Sequence, residues 1–309
     1  MGALIEVVMP VFLVIGFGYA AVQRGIFSDA GVDGLMRFTQ KFAIPCLLFQ
    51  AMSTLDIGAV FEWRLLVSFY TGALCGFALG LLGARYLFGR RWDDAVAIGF
   101  CCLFSNSVLL GLPIAERAYG EASLSANFAI IAIHSPFCYM VGITAMEIVR
   151  SSGKSAVATV WSILKAMFSN ALIIGIALGI TVNLSGVTLP GVLTDAVAMM
   201  VRAALPAALF GLGGVLVRYR PEGDTRTIGW VVIVSLIVHP AVAFGLGQSF
   251  GLSQEMLRAA VLTGAMAPGV NAYVFADMYG CARRVAASSV LIGTLATVVT
   301  AWAWIQILG

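Results

Sequence analysis

Few side chains in this chain could do chemistry, and most of those that could lie inside apolar stretches. One run, Phe100 to Gly120 (FCCLFSNSVLLGLPIAERAYG), carries Ser105, Asn106 and Ser107, followed by Gly111, Pro113 and a Glu116–Arg117 pair. A second, Thr263-Gly-Ala-Met-Ala-Pro-Gly-Val-Asn-Ala-Tyr273, carries Pro268, Gly269, Asn271 and Tyr273. A primary amide both donates and accepts, so Asn106 can hold a carboxylate or the open backbone of a neighbouring helix. Proline lacks an N–H and clashes one turn back, so an undistorted helix through Pro113 is not expected, and Pro268-Gly269 is expected to open the second. Opened helix ends offer unpaired N–H groups and the positive end of a helix dipole, which suit an anion.

Each of these residues also has a structural reading. Ser105 and Ser107 suit a close helix–helix contact, and Asn106 an interhelical hydrogen bond. Tyr273 is an aromatic wall of a site or an anchor at the lipid surface. Asp277 is a candidate proton or cation site, or an interfacial partner of Arg283 and Arg284. His134, in His-Ser-Pro136, and His239, in His-Pro240, are candidate coupling groups because imidazole titrates near neutral pH; a satisfied structural histidine is the alternative. Asn127 and Gln50 are weaker pathway candidates, and Glu116–Arg117 reads as a solvated pair. The cysteines at 46, 75, 101, 102, 138 and 281 show neither disulfide nor zinc spacing and read as small buried hydrophobes. No metal and no cofactor is expected. An intramembrane protease would need two membrane aspartates or a framed Ser–His dyad, and only Asp277 is suitably located, so an enzyme is not expected.

The elements that must position these residues follow from composition. The chain is 61% hydrophobic and 11% charged, with mean hydropathy +0.98; soluble domains carry about 25% charged residues, so a polytopic all-α membrane protein in a lipid bilayer is expected. A net charge of +3 gives no footprint for nucleic acid, and no such partner is expected. Leu4 to Gln23 lacks a basic leader and has spanning length, so it reads as a first transmembrane helix rather than a signal peptide. Windows of about 20 apolar residues predict ten spans, roughly 4–23, 35–53, 65–88, 95–117, 124–148, 160–183, 194–217, 228–250, 257–279 and 286–308. Of the 18 Lys and Arg, all but Arg64, Arg117, Arg202 and Arg258 fall at odd-numbered loops or adjoining helix ends. The positive-inside rule then puts those loops in the cytoplasm and both termini outside.

Five spans plus five give halves of opposite orientation, 1–153 and 154–309. Pro45-Cys-Leu-Leu-Phe49 recurs as Pro206-Ala-Ala-Leu-Phe210 at the same point of each half. Ala118-Tyr-Gly120 and Met278-Tyr-Gly280 close the fourth and ninth spans, each with a proline upstream, Pro113 and Pro268. Matching Gly/Pro-interrupted helices in an inverted repeat point to a secondary transporter whose site lies where the two helices meet.

Asn106-Ser-Val-Leu-Leu-Gly-Leu-Pro113-Ile-Ala-Glu-Arg-Ala-Tyr-Gly120 resembles the fourth-helix signature of the auxin efflux carrier family, Asn-Thr/Ser, Gly-Ile/Leu-Pro and Tyr-Gly. Ala265 to Tyr279 is similar to its ninth-helix signature, and Pro45-Cys-Leu-Leu-Phe to its second-helix proline motif. The resemblance implies a ten-helix inverted-repeat fold like that of sodium–bile acid symporters and sodium–proton antiporters. Helices 1, 2, 6 and 7 would form a scaffold that dimerises, and helices 3–5 and 8–10 a moving transport domain. It further implies that Asn106 binds substrate and that Pro113 and Pro268 mark crossing helices 4 and 9. The short loop after the fifth span, about Arg150 to Thr159, looks like the compact bacterial branch, implying an inner-membrane carrier of malonate- or malate-like organic anions. Asn271 stands where plant members tend to have another residue. A sodium-coupled symporter of the bile-acid type is the alternative.

Overall fold

The computed structural model describes residues 4–56, 58, 61–150, 161, 171–219 and 224–309. All regular elements among them are helical, apart from one isolated antiparallel bridge between Ser105 and Pro268. Six helices are long and apolar enough to cross a membrane: Ile5–Gln23, Trp63–Tyr86, Ser125–Arg150, Gly191–Val217, Thr225–Ser249 and Arg283–Leu308. The other four expected spans fall short for separate reasons. The second begins with Asp29, Asp33, Arg37 and Lys41; the fourth and ninth are each split in two; and most of residues 160–170 of the sixth, like the expected boundary between halves at 153/154, lie outside the described residues.

Contacts divide the chain into two compact units. The smaller comprises Pro10–Val60 and Leu164–Arg218. It holds α1 (Met9–Gln23), α2 (Asp29–Phe38), α3 (Ile44–Thr54), α8 (Ala171–Ser185) and α9 (Gly191–Val217). The Ser28 hydroxyl caps α2 by accepting from the Gly31 N–H at 3.1 Å, which satisfies one of the orphan donors of a first turn. α1 and α9 meet backbone to backbone: a Cβ on Gly213 would stand 1.9 Å from the Ile15 carbonyl oxygen, and one on Gly18 1.9 Å from that of Phe210. Only glycine allows this approach, the usual device of helices that associate without a hydrophobic driving force. In α8, the Asn183 amide donates to the carbonyls of Met52, Ser53 and Leu55, at 2.8 to 3.2 Å, and so closes the C-terminal end of α3.

The larger unit comprises Met1–Met9, Phe61–Ile163 and Tyr219–Gly309. Its helices are α4 (Trp63–Tyr86), α5 (Trp92–Leu103), α6 (Leu112–Tyr119) and α7 (Ser125–Arg150), then α10 (Thr225–Ile233), α11 (His239–Ser249), α12 (Gln254–Gly264), α13 (Val270–Tyr279) and α14 (Arg283–Leu308). Phe100 of α5 stacks on Phe275 of α13, with centroids 4.0 Å apart and planes 10° from parallel, at the centre of its apolar core. Asp93 and Asp94 sit in the first turn of α5, where carboxylates complement the helix dipole. Asp94 also accepts the Ala282 N–H at 2.7 Å, fixing the start of α14.

Prolines leave a recurrent mark in both units. One-turn π segments at Leu4–Val8, Thr39–Ala43, Ser107–Gly111 and Val234–Val238 each end two residues before a proline: Pro10, Pro45, Pro113 and Pro240. A proline cannot donate to the carbonyl four residues back, and a wider turn relieves its clash there. Freed carbonyls find other donors. Arg117 reaches that of Glu6 at 2.6 Å, and the Trp304 indole N–H that of Leu236 at 3.0 Å.

Candidate functional site

The two interrupted runs meet inside the larger unit. α5 stops at Leu103, and an extended stretch through Ser105 leads into the helical run that begins at Ser107. α12 stops at Gly264, and Ala265 to Gly269 lead into α13. The two breaks pair antiparallel. The Asn106 N–H donates to the Ala267 carbonyl at 2.8 Å, and the Gly269 N–H to the Phe104 carbonyl at 2.9 Å. Backbone groups freed by one break therefore satisfy those freed by the other, as burial in a membrane protein requires.

Pro268 behaves as expected, lying in the break with its ring against Gly293 of α14. Pro113 also distorts its helix, through the π segment Ser107–Gly111 just before it, but the interruption itself lies earlier, at Ser105–Asn106, and the run from Ser107 continues through Pro113 to Tyr119. Pro113 lies well inside that run, where its missing N–H frees a carbonyl, and the wider π turn before it relieves the clash.

Asn106 is buried, at 5% exposure, and its backbone turns the chain: its carbonyl accepts from the Leu110 and Gly111 N–H groups at 3.2 and 3.0 Å. Its side-chain Nδ2 is buried with no hydrogen-bond partner. Buried polar groups are nearly always paired, so an orphan donor calls for an explanation, and a ligand is one. Beside it α13 begins at Val270. Its N-cap is Gly269, which has no side chain to satisfy the first-turn amides. A Cβ on Gly269 would stand 3.6 Å from the Asn106 Cα, so this helix start lies close against the asparagine. Two helix N-termini and one free amide thus converge: an arrangement of donors and positive dipole ends suited to an anion.

The other candidates distribute as follows. Ser105 and Ser107 are buried at the break; the Ser105 carbonyl accepts the Ser107 N–H at 2.8 Å. Asn271, in the first turn of α13, is partly exposed, and Tyr273 packs on Tyr219 with centroids 5.1 Å apart. Asp277 is exposed and pairs with Arg283 at 3.0 Å, away from the break. Asn127 is buried and donates to the Thr263 hydroxyl at 2.9 Å, a structural tie between α7 and α12. Gln50 belongs to the smaller unit, where it is exposed. Glu116 and Arg117 are exposed at the far end of α6. His134 and His239 are both buried and flank the Phe69 ring, at 5.6 and 5.0 Å. Sequence reasoning missed Phe69, Phe104, Ala267 and Gly293. Phe104 and Ala267 act through backbone groups, which carry no residue-type signal, and Phe69 is one aromatic among many. Gly293 could have been found as a small residue facing an intramembrane proline.

The chain is similar to known proteins along nearly its whole length. The profile of a family described as "Membrane transport protein" matches residues 3–305. The chain belongs to that family, which includes the auxin efflux carriers. A Rhizobium meliloti (strain 1021) protein named "Putative malonate transporter" is 22% identical, with 97% of this chain and 94% of the relative covered. The Escherichia coli (strain K12) protein named "Uncharacterized transporter YfdV" is 24% identical over 97% and 96%. Arabidopsis thaliana "Auxin efflux carrier component 5" is 21% identical over 94% and 92%. The chain is thus a multi-pass membrane transporter of this family.

Proposed function

We propose that the protein is a secondary carrier of small organic anions, mono- or dicarboxylates of the malonate, malate or auxin type, in a bacterial inner membrane. The observation that carries this reading is the buried, unpartnered Nδ2 of Asn106 beside the N-terminus of α13. Asn106 and the first-turn amides of the two half-helices bind the carboxylate. Ser105, Ser107 and Pro268 shape the break, Asn271 and Tyr273 border it, and Pro113 lies further along the helix that starts at Ser107. The names of the relatives, a malonate transporter and auxin efflux carriers, support the substrate class.

In this reading ten spans form two inverted five-helix repeats with both termini periplasmic, and the protein forms a homodimer. Transport follows an elevator mechanism in which helices 3–5 and 8–10 move against helices 1, 2, 6 and 7. The division of contacts supports it, since the smaller unit contains 10–60 and 164–218 and the larger most of the rest. Asp277 and His239 are the candidates for ion coupling.

The test is binding by purified protein across a panel of mono- and dicarboxylates and their neutral amides. Saturable binding of a carboxylate, absent for its amide, is expected; a preference for the amide would sink the reading. The alternative, a sodium-coupled symporter of the bile-acid type, predicts that uptake into proteoliposomes collapses without a sodium gradient.

A further inference from the structure

The two buried histidines differ in one respect that separates their roles. On His239, Nε2 has no partner. On His134, Nε2 is engaged. Its Nε2 lies 3.2 Å from the Ser105 carbonyl oxygen and 3.5 Å from the Ser105 hydroxyl. The Cys138 sulfur, one turn further along α7, lies against the ring, 3.7 Å from Nδ1 and 3.9 Å from Nε2, and its thiol donates to the Leu103 carbonyl. The ring is 1% exposed and wedged edge-on against Phe104, with centroids 4.8 Å apart. Ser105 is the residue bridged to Pro268, and Asn106 follows it.

A carbonyl oxygen only accepts, so the nitrogen facing it must carry the proton. The opposite nitrogen of a neutral ring is then bare. The Ser105 carbonyl selects this one tautomer. The Ser105 carbonyl therefore takes two donors, His134 Nε2–H from α7 and the Ser107 N–H from its own turn. Two donors on one carbonyl fix the peptide plane that leads into Asn106, and with it the direction in which the asparagine amide is presented.

We infer that His134 is a positioning residue for the Asn106 site, a neutral Nε2–H imidazole wedged against Phe104 that holds the Ser105 carbonyl and so aims the asparagine. It is then a fixed donor rather than a carrier of protons. The inference deepens the carrier reading and rests on it for the ligand, whereas its tautomer is decided without one. The gap between α5 and the Ser107 helix needs such a pin because extended backbone between two half-helices has no ladder of its own beyond the single bridge to Pro268.

The experiment has two arms. In the first, imidazole 15N resonances of the ligand-free protein at neutral pH are expected to show His134 protonated at Nε2 and bare at Nδ1. The opposite tautomer or an imidazolium would overturn the inference. In the second, carboxylate affinity is measured for His134→Gln, whose amide N–H can replace the donor, and His134→Leu, which fills the space without one. Leu should weaken binding about tenfold, the equivalent of one hydrogen bond, while Gln stays close to wild type. Leu binding like wild type, or Gln failing as Leu does while both variants remain monodisperse, would refute it. Should wild type bind no carboxylate at all, the carrier reading fails by itself and the resonances still judge His134. Should neither variant fold, the wild-type resonances decide: a protonated Nε2 sustains the inference and a bare Nε2 overturns it.

Discussion

Removing the side chain of Asn106 should weaken substrate binding without weakening the fold. In the unliganded protein Nδ2 is buried without a partner, and an unsatisfied buried amide costs roughly 1–3 kcal/mol. Asn106→Ala removes that cost and leaves a small cavity, worth about 1 kcal/mol in the other direction. Stability should therefore stay within about 1 kcal/mol of wild type or rise. Binding should respond in the opposite way, because a hydrogen bond to a charged group contributes about 1.5–3 kcal/mol, a loss of roughly 10- to 150-fold in affinity. Asn127 is the matched control: equally buried and on a neighbouring helix, but with its Nδ2 spent on the Thr263 hydroxyl at 2.9 Å. Asn127→Ala should lose about 1–3 kcal/mol of stability and change affinity much less. Thermal unfolding in detergent followed by intrinsic fluorescence, with calorimetric titration of a bound carboxylate, reads both quantities. The reasoning is refuted if Asn106→Ala is destabilised as much as Asn127→Ala, or if it binds the carboxylate as wild type does.

Three further outcomes follow from individual contacts. On Gly293, a Cβ would stand 2.9 Å from the Pro268 Cδ and 3.3 Å from the Ala267 Cβ; Gly293→Ala should cost about 1–3 kcal/mol by overpacking and weaken carboxylate binding, whereas Gly34→Ala, with nothing within 4 Å, should be neutral or stabilising in the same melts. Asn183→Ala strands three carbonyls at the end of α3 and should destabilise by about 1–3 kcal/mol, seen as faster proteolysis or hydrogen exchange near residues 52–55. Asp224 caps α10, and its carboxyl is held below the usual range, chiefly by the Thr227 hydroxyl at 2.7 Å and then by the Arg226 and Thr227 N–H groups and Arg90. Since the folded state prefers its charged form, its contribution is present above the ordinary value near about 3.9 and disappears as pH falls through the lower folded value. Asp224→Ala should thus cost about 1 kcal/mol at neutral pH, the half-buried Arg90 pair at the surface adding little, and a difference from wild type that persists undiminished in strong acid would contradict the assignment.

Much of the fold is written in runs of apolar residues, because a span must bury every backbone polar group within itself. The expected spans 124–148 and 286–308 correspond to helices Ser125–Arg150 and Arg283–Leu308. Composition is a poorer guide where a helix is charged at one end. α2 and α3 join into one helical run whose first turns carry Asp29, Asp33 and Arg37, and Arg218 clamps both aspartates, at 3.2 and 2.6 Å. That pairing is set by the distant end of α9 and has no local signal. Proline was legible as a disturbance but not as a kind of disturbance. Pro45, Pro113 and Pro240 each follow a π segment, while Pro136 and Pro206 sit within α-helix, and the choice depends on what meets the freed carbonyls.

The same distinction decides how far the site could be read. Asn106 stood out because an amide inside an apolar run is costly unless something answers it, and that argument needs only the residue and its surroundings. Where the helix breaks is a different question. Pro113, the residue that suggested a break, lies seven positions after Asn106, inside an unbroken helical stretch. The interruption sits at Ser105–Asn106 because the Ala267 carbonyl and the Gly269 N–H are there to pair with the opened chain, and those partners come from the other half of the sequence. A break is stable only as half of a pair, so its position is a property of two segments together. This is also why His134 was ambiguous in the sequence. Its environment of apolar residues and a nearby proline fits a proton carrier and a structural pin equally well. Only the carbonyl it faces, exposed by that paired break, distinguishes the two.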